Sequence, residues 1–276
     1  MGPFRVVVRR GHVVEAVHLV HVASTDGPLR GDDLVSHLRS AAKPIQAVPL
    51  AEAYDDLADD ELAIACSSHQ AEPAQLEAVR RLLERAGATV EDLENGPQEG
   101  RPEGRLGHNC SGKHAGFLAA CRANGWRFAG YHLPDHPLQQ RIRELIGGGE
   151  PAVDGCGIPT YAQPLSAQAR LLPQTQPRVA DAMRARPELV GGEGADDTAL
   201  MQLLPGFIAK RGAEGLLCAA SPDGRGYAFK VADGNGRALR PVVAGVLGVD
   251  ELARVPLRNS RDEIVGVIEL DGPVRP

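Results

Sequence analysis

The sequence predicts an α+β fold, with one antiparallel sheet assembled from both ends of the chain and helices packed against it. Three observations predict it. Valine-rich segments occupy the N-terminus, a hairpin pattern and a last apolar strand occupy the C-terminal third, and helical patterns closed by glycines fill the middle. No repeat or linker-like composition divides the chain. Residues 1–276 therefore read as one domain, with sheet from about 1–40 and 213–276 and a helical region over about 41–212.

Element by element, FRVVVRR, Gly11 and HVVEAVHLVHVA form an antiparallel hairpin that closes on the turn STDG. IQAVPLAEAYDD is helical in composition, but Pro44 lacks an N–H, so the start of that helix is irregular. EPAQLEAVRRLLERAG is a helix with Pro73 in its first turn, an apolar stripe of Leu76, Val79, Leu83 and Ala86, and a stop at Gly87. ENGPQEGRPEGRLGHN has no period and reads as a long loop. SGKHAGFLAACRANG and HPLQQRIRELIGGG are helices, the second with Leu138, Ile142 and Leu145 on one face. RVADAMRARPEL and DDTALMQLLPG are short helices separated by Gly191, Gly192 and Gly194. GLLCAAS, the turn PDGRG and YAFKVADG make a second hairpin, ALRPVVAGVLG is helix-like, and EIVGVIELDG is the last strand.

Composition narrows the function. The formal charge of −6 and the lack of a Lys/Arg run exclude a nucleic-acid partner held by phosphate neutralisation, which leaves a small molecule as the expected ligand. No apolar run approaches the ~18 residues of a membrane span, and MGPFRVVVRRG lacks the apolar core of a signal peptide, so a cytoplasmic protein is expected. Cys66, Cys110, Cys121, Cys156 and Cys218 are odd in number and widely spaced, the pattern of reduced thiols rather than of a disulfide framework.

Four stretches carry candidate chemistry. In RSAAKP, Ser40 and Lys43 are three apart, which puts them on one face of a helical turn with Cβ atoms about 5–6 Å apart. A serine hydroxyl is a poor nucleophile until a base takes its proton, and SAAK offers Lys43 no carboxylate to hold its charge. The bland alternative is a helix start with a solvated lysine. ACSSHQAEP places Ser67, Ser68 and His69 as a polar elbow before a helix, equally suited to capping it. HNCSGKHAGF gathers Cys110, Lys113 and His114 at a helix N-terminus, where the dipole favours a thiolate, and DGCGIPTY adds Cys156. Neither cysteine belongs to a CxxC pair, so the bare pattern leaves an oxyanion site, a metal site and half-buried thiols open. In YAFKVADG, Lys230 interrupts a face of alanines, either a solvated sheet face or a pocket wall.

In this order, RSAAKPIQ, CSSHQAEP, HNCSGKHAG, DGCGIPTYAQPL, GAEGL and FKVADG resemble the asparaginase II family, the zinc-associated bacterial L-asparaginase type, over nearly the whole chain. The resemblance implies a fold similar to that of serine β-lactamases and glutaminases. It also implies a homodimer that hydrolyses the side-chain amide of L-asparagine through a serine-linked acyl-enzyme. It implies two Ser–Lys pairs, Ser40 with Lys43 and Ser68 with Lys230, and a zinc ion held by Cys110, Lys113 and Cys156. Arg39, His69 and Asp154 fall where the family's pocket meets its substrate. Two departures stand out: the chain is short for the family, and GGEGADD has Ala195 and Asp196 where an Arg and an apolar residue are expected. A penicillin-binding or β-lactamase-like enzyme shares the SxxK motif but also needs SxN and KTG, and the places expected to match read SSH and KVA. A catalytically silent metal- or amino-acid-binding protein on the same scaffold is the other alternative.

Overall fold

In the first hairpin, alternation turns one set of side chains inward, and Val6, Val8, Val20 and Val22 are all buried. The structure, a computed structural model, describes residues 1–272. Its strands are β1 (Phe4–Arg10), β2 (Val13–Ser24), β3 (Gly27–Arg30), β4 (Val35–His37), β5 (Glu150–Val153), β6 (Pro159–Pro164), β7 (Ile208–Arg211), β8 (Leu216–Ala220), β9 (Gly226–Val231), β10 (Arg254–Arg258) and β11 (Ile264–Leu270). The main sheet runs β10-β11-β1-β2-β9-β8-β7, with β3 paired to β2. All its pairings are antiparallel, and β1 pairs with the C-terminal β11, so both ends of the chain meet at one strand pair.

The helices are α1 (Lys43–Gln46), α2 (Val48–Ala53), α3 (Asp59–Ala65), α4 (Pro73–Ala86), α5 (Ser111–Asn124), α6 (Pro137–Ile146), α7 (Leu165–Ala169), α8 (Pro177–Ala185), α9 (Pro187–Gly191), α10 (Asp196–Leu203) and α11 (Leu239–Leu247). The expected stripe on α4 is buried, and Gly87 closes the helix in the left-handed conformation, with φ 59°. α5 is buried along Ser111–Cys121, as befits a helix apolar nearly all round. Its start lies against the end of α3: a Cβ on Gly112 would sit 2.2 Å from the Ile64 carbonyl oxygen, so only glycine allows this approach. The irregular start expected at Pro44 is a 3₁₀ turn over Arg39–Ala42 that leads into α1.

The helical region contains more sheet than the sequence suggests. A separate three-stranded sheet, β4-β6-β5, lies within it, and the main sheet takes up the chain again at Ile208 rather than near 213. These strands are only three to six residues long and are interrupted by Pro151, Pro159 and Pro164, too short to display a period. Edge strand β7 runs beside the 3₁₀ turn, and Gly212 keeps them close, since a Cβ there would meet the Leu38 carbonyl oxygen at 3.1 Å. Among the described residues no helix is long and apolar enough to cross a membrane.

Candidate active site

The first serine sits on a strained corner. Leu38 N–H donates to the Tyr161 carbonyl and Arg39 N–H to Thr160 Oγ1, which hold the chain against β6. Arg39 then adopts φ 47°, a left-handed conformation that costs a non-glycine residue on the order of 1–2 kcal/mol, and the 3₁₀ turn begins. Ser40 lies half-buried on that turn. The Arg39 guanidinium pairs with Asp154, whose Oδ1 also accepts from Gly155 N–H at 2.7 Å. This ion pair ties the Ser40 corner to the loop that carries Cys156.

Lys43 points inward and is fully buried. Its Nζ donates to the Ser67 carbonyl, lies 3.1 Å from Ser68 Oγ and 3.5 Å from the Asn109 carbonyl. The expected pairing of Ser40 with Lys43 and of Ser68 with Lys230 is thus not the one the hydrogen bonds make. Among the described residues no hydrogen bond joins Ser40 Oγ to Lys43, or Ser68 to Lys230. The reason is reach: the extended lysine stem carries Nζ beyond its own turn, to the end of α3, where unpaired carbonyls await donors. Lys230 Nζ donates instead to the carbonyls of Glu214 at 2.6 Å and Val231 at 2.8 Å. Burial pulls its pKa down, against the opposing pull of Glu214 and Asp233.

Ser68 is held on a second strained elbow. Its N–H donates to the Val190 carbonyl at 2.8 Å, and Ala71, three residues on, has φ 64°. His69 was expected at the substrate, but it is fully buried with both ring nitrogens occupied. Ala71 N–H donates to Nδ1 at 3.1 Å, and Nε2 lies 2.8 Å from Ser111 Oγ, whose own proton goes to the Leu106 carbonyl at 2.7 Å. Nε2 must therefore carry the ring proton, and His69 braces the elbow rather than facing a ligand. Burial, then Lys43, pulls its pKa down to about 3, so the ring is neutral. The capping alternative for this stretch does not apply: α4 is capped by Gln75, whose Oε1 accepts from Gln70 and Glu72 N–H.

The third cluster meets at the start of α5. Cys110 is its N-cap, and Lys113 Nζ lies 3.0 Å from Cys156 Sγ. All three side chains are buried. The Cys156 thiol holds Cys110 well below the usual thiol range, and Cys156 is correspondingly pushed up. For Lys113, burial is outweighed by the two sulfurs and Asp154, which raise its pKa. Two sulfurs and an amine make a soft donor set that suits zinc, provided Lys113 gives up its proton on binding. Among the described residues no group of three or more His, Cys, Asp and Glu is placed to hold a metal, so a zinc ion here depends on Lys113 as third ligand.

The sequence reading missed Lys210, Arg211 and Asp197. On the edge strand, the fully buried Lys210 pairs with the fully buried Asp197 at 2.7 Å, and Arg211 Nε lies 3.7 Å from the same carboxylate. Arg211 Nη2 reaches the carbonyls of Ser68 and Gly191, each at 3.4 Å. Lys210, Arg211 and Gly212 thus lie beside the serine turn, whereas Lys230 lies two strands inward on β9. The signal was present, since a K-R pair follows the apolar Phe207–Ala209, but four residues show no alternation.

A strained serine corner and a buried lysine in contact with a second serine hydroxyl thus lie together beside the edge of an antiparallel sheet. The chain belongs to the L-asparaginase II family, whose model matches residues 6–268. That membership supports an amidohydrolase. Among solved structures, a β-lactamase from Mycobacterium bovis is similar at 15% identity, over 79% of this chain and 87% of that one, with a TM-score of 0.31, too slight a likeness to carry an argument. No curated protein matches the sequence.

Proposed function

We propose that the chain hydrolyses the side-chain amide of L-asparagine to L-aspartate and ammonia through a serine-linked acyl-enzyme. The observation that carries this reading is the contact of the fully buried Lys43 Nζ with Ser68 Oγ at 3.1 Å. Its other contacts are the carbonyls of Ser67 and Asn109, and among the described residues no carboxylate pairs with it. Once it gives up a proton, Lys43 can take one from that hydroxyl.

Ser40 is the more accessible hydroxyl, one turn from Lys43 and without a competing hydrogen bond among the described residues. It attacks the amide carbon, and its proton passes by way of Ser68 to Lys43. The C–N bond then breaks, the proton returns to the nitrogen, and ammonia leaves. Water, deprotonated through the same pair, cleaves the β-aspartyl ester and frees aspartate. The Lys43–Ser68 hydrogen bond favours a second reading, direct attack by Ser68. Ser40→Ala and Ser68→Ala, with peptide mapping of the serine labelled by a diazoketone analogue of asparagine, separate the two. Full activity in Ser40→Ala would move the nucleophile to Ser68. Lys230 belongs to this reading as a more distant relay, and Arg39 with Asp154 as a wall of the pocket.

Cys110, Lys113 and Cys156 would hold zinc, and when bound it would supply a fixed positive charge that helps orient the substrate. The homodimer implied by the resemblance and a cytoplasmic location are part of the same proposal. Ammonia release from L-asparagine beside L-glutamine, with nitrocefin as a third substrate, tests the function. Preferential turnover of nitrocefin would favour the β-lactamase-like alternative, and silence on all three a binding protein.

A further inference from the structure

We propose that Arg211 recognises the α-carboxylate of the substrate, and so sets its specificity, as a group pre-positioned by the buried Asp197–Lys210 pair. The proposal rests on the amidohydrolase reading only for the identity of the substrate.

Charge balance singles Arg211 out. Arg39 is the other guanidinium near the serines, but Asp154 takes up its charge. Asp197 is a single anion shared by two cations, Lys210 and Arg211, which leaves net positive charge beside Ser68. The GGEGADD segment adds no cation: Ala195 is buried, and Asp196 is itself paired with Arg240 at 2.7 Å.

Geometry agrees with charge. The Asp197 carboxylate accepts from Lys210 Nζ at 2.7 Å and from Arg211 N–H at 3.3 Å, which fixes the backbone from which the guanidinium projects. The Arg211 side chain remains 35% exposed, and its contacts with the Ser68 and Gly191 carbonyls are long, at 3.4 Å. The Nη1 donors are therefore left over for a carboxylate. Position agrees too, since Arg211 Nη2 stands 3.4 Å from the carbonyl of Ser68, the residue whose hydroxyl meets Lys43.

The test uses the full chain and two readouts. The first is calorimetric binding of L-aspartate, which carries the same α-carboxylate and does not turn over. The second is kinetics on L-asparagine and on its α-amide, which lacks that carboxylate. Arg211→Leu is expected to weaken aspartate binding and raise KM for asparagine about 10- to 100-fold, the range of a hydrogen-bonded charge. The preference for asparagine over its α-amide should collapse by the same factor, with kcat changed little and Arg211→Lys recovering part of the loss. The proposal is overturned if Arg211→Leu binds aspartate normally, if it slows both substrates equally, or if Arg39→Leu alone removes the preference. It is overturned as well if the unaltered protein does not bind aspartate. Arg211-dependent binding of aspartate without ammonia release would sink the amidase reading and uphold this one.

Discussion

Replacing Lys43 with Met keeps the long stem in the core and deletes the amine. Ser67's carbonyl loses its donor, whereas the Asn109 carbonyl still accepts from His69 N–H at 3.2 Å. Stranding the Ser67 carbonyl, with loss of the contact to the buried Ser68 hydroxyl, costs about 1–3 kcal/mol. For a chain of this size that lowers the unfolding midpoint by roughly 2–10 °C, well short of abolishing the fold. The effect on chemistry is far larger. A positioned base is worth about 10²- to 10⁴-fold in rate, so kcat for ammonia release should fall by that range while KM stays within a few-fold. The assay pairs steady-state ammonia release at 25 °C with a thermal melt, so that lost activity is not mistaken for lost fold. A Lys43→Met protein that melts normally and keeps kcat within tenfold of the parent would refute Lys43 as the base.

Three further outcomes follow from the same geometry. His69 is neutral in the fold, with its pKa held down to about 3, while in the unfolded chain it takes up a proton near 6.5. Its contribution is complete above about pH 6.5 and is lost as pH falls toward 3, at up to about 1.4 kcal/mol per pH unit. Urea unfolding across that window should show a shallower slope in His69→Gln, and an unchanged slope would remove His69 as the cause. Asp197→Ala strands the buried Lys210 ammonium, a loss of about 3–5 kcal/mol, and adding Lys210→Met should restore most of it. Equal stability of the single and double variants in chemical denaturation would contradict a buried pair. For the metal, protein purified without chelator should contain zinc by elemental analysis, and Cys110→Ala or Cys156→Ala should lose it. Zinc retained in both variants would place it elsewhere.

The legible part of this molecule was local or repetitive. Val6, Val8, Val20 and Val22 announce a sheet because strand alternation writes burial directly into sequence, and the stripe on Pro73–Ala86 does the same for a helix. The motifs around Ser40, Ser68, Cys110 and Cys156 were legible as well, each a short run with its own chemistry. Their partnerships were not. Ser40 and Lys43 share a helical turn, which pairs them in the sequence, yet the Lys43 amine crosses to Ser67 and Ser68 at the end of α3. His69 looked like a ligand-facing residue until burial used both its nitrogens.

Sequence alone therefore determined the α+β class, the inventory of serines, lysines and cysteines, and the resemblance that led to the family. Tertiary structure alone decided which hydroxyl meets which amine. It placed Lys210 and Arg211 on the edge strand beside the serine turn, with Gly212 just after it, and set Asp197 against two cations. The reason is physical: spacing encodes neighbours within a turn or a strand, whereas a long side chain finds its partner across the core. There, burial penalises every unpaired polar group and so selects the pairing.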